Sequence, residues 1–461
     1  MAGISRRIIE MKKDENPKVS VIMYVKNGMP YFERSLNSVL GQTLQDIEVL
    51  VVDGGSTDGT LAIAEEASRK DGRVRILSCG KGSVGAQFNL GVREARGEYI
   101  GIVESDDYIL PRMYEIEYQY AKERALDVLR ADNYIFFELD GQEVKIRTKV
   151  SQDSSVYGRE LKAGRDDGRI QIGGSYWTGL YRREYLLDKG IWMNESKGAA
   201  YQDFGFLFLA SAMAESLYFL DDAFYCYRKD NPNSSCNRPQ DIFMVHREYD
   251  FLQKELTSRG LWEPLKQYFY LWKIRNERWF FHNLNETDQK RFLPYFYEDL
   301  KHASRELSPL DIKWNRKEKQ LLDLAGRSER AFGDHLALSE REWEAACGRL
   351  KNFNKEDAVY IFGAGNVGRI LCHYLQSRGM IPKAYLDNNA DLQGTTIGDV
   401  KVISPDNIQP EEGDLFLICS ENYADEIREE LSHRGIRDTQ LAVVNDMDAC
   451  IRFIIGQMKG Y

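Results

Sequence analysis

Two short apolar runs that end on acidic residues constrain this chain more than any other feature. The first, Ile47-Glu48-Val49-Leu50-Val51-Val52, runs into Asp53 and the turn Gly54-Gly55-Ser56-Thr57-Asp58-Gly59-Thr60. The second, Tyr99-Ile100-Gly101-Ile102-Val103, runs into Glu104-Ser105-Asp106-Asp107. Val- and Ile-rich runs of this length, closed by turn residues, predict buried strands. Both strands then deliver carboxylates at their C-terminal ends, the edge where open α/β sheets bind ligands. Carboxylates gathered there make poor packing, because buried unpaired charge is strongly disfavoured. A divalent metal ion holding a diphosphate gives them a use; the bland alternative is a solvated acidic turn.

The rest of the first half keeps the same rhythm. Val19–Val25 reads as a strand, Pro30 to Gln42 as a helix with apolar Phe32, Leu36, Val39 and Leu40, and Val74–Leu77 as a third strand. Asp58 is placed to cap a helix from Thr60 to about Arg69, and Pro111 to open one at an early helical position. Alternation of this kind predicts a mostly parallel sheet. Asp140 to Gly173 is polar and aperiodic, a hairpin or loop. From Asp241 to Leu350 the chain is rich in Glu, Lys, Arg, Leu and aromatics and poor in Gly, and reads as several helices. A second α/β unit starts near Ala358: Val359-Tyr360-Ile361-Phe362 leads into Gly363-x-Gly365-x-x-Gly368 and an apolar helix, with Asp387 ending the next strand. The expected division is a tail over 1–17, an α/β domain over 18–240, a helical region over 241–350 and a small Rossmann-like module over 355–461.

The 461 residues suit two to four domains. A formal net charge of -10 argues against a nucleic-acid partner, which would demand clustered Lys and Arg. Seven scattered cysteines with no C-x-x-C pair indicate neither a zinc site nor a disulfide framework, and point to a reducing, cytoplasmic setting. The basic, polar N-terminus lacks the apolar core of a signal peptide. It reads as a tail, with peripheral contact to an anionic membrane face, such as the inner face of the cell membrane, as the alternative.

In order along the chain, the Val-Ser-Val-Ile opening strand, Ser38-Val39-Leu40-Gly41-Gln42-Thr43, Asp53 to Thr60, Asn89-Leu90-Gly91, Gly97-Glu98-Tyr99-Ile100 and Glu104-Ser105-Asp106-Asp107 resemble the family 2 glycosyltransferases with a GT-A fold. The resemblance covers roughly Lys18 to Ser235. It implies transfer of a sugar, with inversion, from a nucleotide-diphosphate-sugar to a hydroxyl of a saccharide or lipid-linked saccharide, in cell-surface polysaccharide or lipopolysaccharide synthesis. It also implies a divalent metal, Mn²⁺ or Mg²⁺, at Asp106, with Glu104 nearer the ribose, Ser105 beside it as a donor contact and Asp107 supporting the loop. Asp203, after Tyr201-Gln202, stands where the family carries its general base in a Glu-Asp pair, so Gln202 replaces the Glu; a helix cap is the alternative role. Arg228 is a candidate diphosphate contact or a salt-bridge partner. Tyr176 and Trp177 suit either the acceptor face or the core.

Two departures concern the donor. Many relatives read Asp-Asp-Gly-Ser where this chain has Asp53-Gly54-Gly55-Ser56, and Tyr-Asn where it has Lys26-Asn27. Asp53 and Asn27 stay as donor contacts, and the base stays open. Gly363, Gly365, Gly368 and Asp387 form a second candidate nucleotide site, in the strand-turn-helix context that fingerprint requires; a structural or oligomerising role, including a homo-oligomer, is the alternative. A competing function makes that module primary, as an NAD(P)- or sugar-nucleotide-dependent oxidoreductase.

Overall fold

Seven consecutive buried residues, Val19–Val25, form the central strand β1 of the first sheet. The computed structural model describes residues 16–151, 153–162, 175–199, 201–234, 241–307, 314, 316–352, 358–420, 423–444 and 446–458. Most of the expected N-terminal tail therefore lies outside the described residues, as do 163–174 and Ser235. The chain divides into two compact units. The first runs to Trp272 except for Ile135–Ile146, which counts with the second, Lys273 onward. The boundary falls within the helix Trp262–Asn283.

In the first unit β1 is flanked by β2 (Ile47–Asp53) and β4 (Tyr99–Ile102), both parallel to it, and β3 (Val74–Ser78) lies parallel to β2. Their Val, Ile and Leu side chains are buried because helices Phe32–Leu40, Thr60–Lys70 and Val84–Glu94 return the chain over the sheet, which is what parallel strands require. The remaining strands are β5 (Tyr108–Ile109), β6 (Val128–Leu139), β7 (Gln142–Thr148), β8 (Glu160–Lys162), β9 (Gly179–Arg182) and β10 (Ser216–Arg228). The sheet order is β3-β2-β1-β4-β9-β6-β10-β5. Here the expectation of a mostly parallel sheet fails: β9 is antiparallel to both β4 and β6, and β10 to β5 and β8. Strand polarity is set by which distant strands meet, and local periodicity does not carry that. The architecture is α/β of the GT-A kind, followed by a helical region.

That region comprises helices Met244–Ser258, Trp262–Asn283, Glu286–Glu306, Arg316–Arg327 and Glu329–Asn352. The second unit ends in a six-stranded sheet of β11 (Val359–Phe362), β12 (Ala384–Leu386), β13 (Thr396–Ile397), β14 (Val400–Ile403), β15 (Leu415–Ile418) and β16 (Leu441–Val443), ordered β13-β14-β12-β11-β15-β16. Strands β14, β12, β11, β15 and β16 run parallel, and only β13 is antiparallel. Tyr360 stacks on Phe416 at 4.8 Å within its core. Among the described residues no helix is long and apolar enough to cross a membrane.

Candidate active site

The edge of the first sheet is level where it matters, because β1 and β2 pair in register from Val19↔Ile47 to Val25↔Asp53. Gln87, in the first turn of Val84–Glu94, ties the two strand ends by donating from Nε2 to the carbonyls of Val25 (3.1 Å) and Val52 (2.7 Å). A Cβ at residue 54 would stand 3.0 Å from that same Nε2. Asp53 folds back on its own turn: its carboxylate accepts from the N–H groups of Gly55 (2.9 Å) and Ser56 (3.1 Å). Asn27, held at φ 56°, accepts on Oδ1 from the Thr57 N–H at 2.8 Å. Asp58 is not the cap residue; Gly59 is. Asp58 accepts from Met29 N–H (2.9 Å) and Thr60 N–H (3.1 Å), latching the loop after β1 to the start of the helix. Pro111 likewise precedes its helix, which starts at Met113; its carbonyl accepts from Thr43 N–H.

The acidic turn after β4 is assembled from farther away. Val103 N–H bonds the carbonyl of Ile22, carrying the chain along β1 so that Glu104 meets Tyr24. Oε1 of Glu104 accepts from the hydroxyls of Tyr24 (2.8 Å) and Tyr176 (2.7 Å). Oδ2 of Asp106 accepts from Asn231 Nδ2 (2.7 Å). Asp107 is buried, accepting on Oδ2 from the Tyr225 hydroxyl (2.7 Å) and on Oδ1 from Arg228 N–H (2.7 Å). Arg228 also donates from Nε to the Asp106 carbonyl (3.1 Å), pairs with Asp230 (2.9 Å) and lies over the Tyr31 ring. The salt bridge weighed for it is thus present, and the guanidinium stands beside the acidic turn. Ser105 is half-buried within the turn.

One carboxylate oxygen each from Glu104, Asp106 and Asp107 lies within 4.8 Å of the others. Burial, and then the charges of Asp106 and Asp203, push Glu104 well above the ordinary carboxylate range. Burial followed by Asp106 and Glu104 does the same for Asp107, and burial raises Asp106. Three oxygen donors that repel one another and resist ionisation suit a hard divalent cation, which would relieve both penalties.

Asp203 lies in the first turn of the helix Gln202–Met213, with the preceding Tyr201 at the cap in a left-handed conformation, φ 71°. Burial, then the charge of Glu248, lifts its pKa to about 7 despite favourable N–H groups of its own turn. Its charge is in turn felt at Glu104. Gln202 does not face that group: Nε2 donates to the Ser196 hydroxyl (3.2 Å) and the Gly198 carbonyl (3.3 Å), and Ser196 and Asn194 both donate to Glu248. Trp177 and Tyr176 are both buried, Trp177 stacking at 4.0 Å on Tyr225. The structure therefore gathers Glu104, Ser105, Asp106, Asp107 and Arg228 within one turn and its partners, with Asp203 in electrostatic reach. Asp53 and Asn27 sit at the neighbouring strand ends. Tyr24 and Gln87 escaped the sequence reading, because nothing in their local pattern distinguishes them from core residues; Tyr225 and Asn231 lie in the 225–235 stretch that resembles the segment closing the GT-A domain, where the resemblance gives a role to Arg228 alone.

In the second unit Gly363 has φ 103°, and a Cβ on Gly368 would lie 2.2 Å from the Gly363 carbonyl, so the turn admits no side chain there. Asp387 follows β12 and accepts from Ala364 N–H (3.0 Å) and Asn389 N–H (2.9 Å).

Residues 20–186 match the family model described as glycosyl transferase family 2, and residues 355–441 match one described as C2185-like, N-terminal. The chain is 30% identical over 252 residues to the glycosyltransferase EpsJ of Bacillus subtilis (strain 168), covering 53% of this chain and 69% of that one. It is 31% identical over 217 residues to the glycosyltransferase GlyG of Streptococcus pneumoniae serotype 4, covering 46% of this chain and 70% of that one. Residues 1–349 of S. aureus TarS, solved in complex with UDP-GlcNAc, share the fold with a TM-score of 0.55 at 21% identity, over 70% of this chain and 92% of that one. These likenesses settle the family: the chain belongs to the family 2 glycosyltransferases.

Proposed function

We propose that this glycosyltransferase moves a sugar from a nucleotide-diphosphate-sugar to a hydroxyl of a saccharide or lipid-linked saccharide, with inversion, in building a cell-surface polysaccharide or lipopolysaccharide. The observation that carries this reading is electrostatic: Asp203, raised to about 7, is close enough to the Glu104–Asp107 turn for its charge to be felt at Glu104. A general base works best with a pKa near the operating pH. Asp203 would take the proton of the attacking acceptor hydroxyl, and one carboxylate suffices for a single displacement. Asp106, with Glu104 beside it, would hold Mn²⁺ or Mg²⁺. Bound there, the cation supplies charge neutralisation for the departing diphosphate. Arg228, permanently charged and held beside Asp106, would meet the same diphosphate. Asp53, Asn27 and Ser105 are assigned to the nucleotide side. The UDP-GlcNAc complex of TarS makes a UDP-sugar the first donor to try.

Family membership rests on the first domain and moves the function away from the oxidoreductase alternative. The 355–461 segment is best read as a Rossmann-like module, supported by the parallel strand order β14-β12-β11-β15-β16, which follows the first five positions of the doubly wound 3-2-1-4-5-6 order. Gly363, Gly365, Gly368 and Asp387 are its candidate nucleotide contacts. The setting is cytoplasmic, at the inner face of the membrane where lipid-linked acceptors are reached.

The test is binding of UDP to the parent and to Asp106→Ala, with and without Mn²⁺, alongside thermal denaturation. We expect Mn²⁺ to tighten UDP binding to the parent at least tenfold, and Asp106→Ala to fold but lose that enhancement. A folded Asp106→Ala protein with parental Mn²⁺ dependence removes Asp106 as the ligand.

A further inference from the structure

We propose that Tyr225 is a positioning residue for the metal turn, acting through its hydroxyl rather than its ring. The inference rests on the reading that Asp106 and its neighbours hold a divalent cation. Tyr225 lies on β10, far from the turn in sequence, and is 1% exposed. Its hydroxyl donates to Oδ2 of Asp107 at 2.7 Å and accepts the backbone N–H of Glu104 at 3.0 Å. One oxygen thus pins both ends of the four-residue turn. Three more fastenings come from the same stretch, namely Arg228 N–H on Asp107, Arg228 Nε on the Asp106 carbonyl and Asn231 on Asp106, while Tyr24 and Tyr176 hold the Glu104 carboxylate from other segments.

The chemistry explains why a hydroxyl is needed there. A cation site built from mutually repelling carboxylates must be fixed before the ion arrives, or the ion's binding free energy is drained into ordering the donors. Hydrogen bonds to ligating or neighbouring carboxylates supply that order, and removing such partners typically lowers metal affinity about 10–100-fold. Tyr225 meets the requirement in full. It stabilises the ionised form of Asp107, satisfies an N–H that would otherwise be stranded at Glu104, and is itself immobilised by Trp177 stacked at 4.0 Å. Phenylalanine at 225 would keep the stack and the volume and lose both hydrogen bonds. Phenylalanine at 177 would thin the stack and leave both hydrogen bonds in place.

The two variants separate positioning from packing. Mn²⁺ affinity is measured by electron paramagnetic resonance on the full chain, without donor or acceptor, and thermal midpoints are recorded in parallel. We expect Tyr225→Phe to weaken Mn²⁺ binding about 10–100-fold, while Trp177→Phe lowers the midpoint and leaves Mn²⁺ affinity within about threefold of the parent. Equal Mn²⁺ affinity in Tyr225→Phe and the parent overturns the inference while leaving the metal reading intact, provided that Asp106→Ala abolishes binding. Equal weakening in both variants also overturns it, since the ring's packing would then carry the effect. A parent that binds no Mn²⁺ ends both the inference and the reading beneath it.

Discussion

At the end of β2 the Asp53 carboxylate bonds N–H groups two and three residues ahead of it, whereas at the end of β4 three carboxylates are held by Tyr24, Tyr176, Tyr225, Arg228 and Asn231. The Asp53 carboxylate in the first turn finds its partners in its own backbone, with Asn27 and Met29 bracing the turn from the neighbouring loop. The second exists only once strands remote in sequence have been laid beside it. The energetic consequence is opposite. Asp53 satisfies donors that its turn would otherwise leave open, while Glu104 and Asp107 are pushed well above the ordinary carboxylate range by burial and then by the charge of Asp106 between them. A self-satisfied turn is a rigid platform; a turn of carboxylates kept against their preference stores a demand for positive charge.

Breaking the distal partner of the second turn has the largest expected effect. Asp203→Asn keeps size and removes proton acceptance, so turnover should fall about 10²–10⁴-fold, with the donor dissociation constant nearly unchanged. Turnover within a few-fold of the parent would mean that Asp203 acts only as a helix-terminal residue.

The second prediction concerns pH. Asp203 sits near 7 in the folded chain against about 3.9 when unfolded. Between those values the folded state keeps a proton that the unfolded chain has lost, so stability declines as pH rises through the window. Glu104 and Asp107, shifted in the same direction, add to the slope. Without metal, the thermal midpoint should drop by roughly several degrees from about pH 4 to about pH 7, and Mn²⁺ should recover more of it at the upper end. A flat profile in Asp203→Asn and parent alike would show that the strain is absent.

The smallest effect is expected at the β2 turn. Asp53→Ala should lower stability in denaturant titration by about 1.5–3 kcal/mol, the range for hydrogen bonds to a charged acceptor, and leave Mn²⁺ affinity untouched. A Mn²⁺ affinity that falls with Asp53→Ala would erase the distinction between the two turns.

The same contrast sets how much could be read from the chain itself. Runs such as Val19–Val25 and Ile47–Asp53 announce their strands because all but a residue or two are apolar and turn residues close them, and the carboxylates follow directly. Asp203 was reachable only through family resemblance, since an acidic residue near a helix start is common for reasons of capping and dipole alone. Tyr225 and Gln87 were out of reach. Their importance is created by partners far along the chain, and a tyrosine in Phe224-Tyr225-Cys226 looks like any buried strand residue. The antiparallel half of the first sheet was missed for the same reason.

Gln87 and Gly54 have a bearing on what the turn after β2 can accept. The amide that clasps the carbonyls of Val25 and Val52 occupies the space into which a side chain at 54 would grow, and 54 is the position where many relatives carry a second aspartate. A side chain at 54 and the Gln87 amide therefore compete for one space. A smaller residue at 87 releases two carbonyls that nothing at 54 serves, so changes at the two positions are expected to be non-additive.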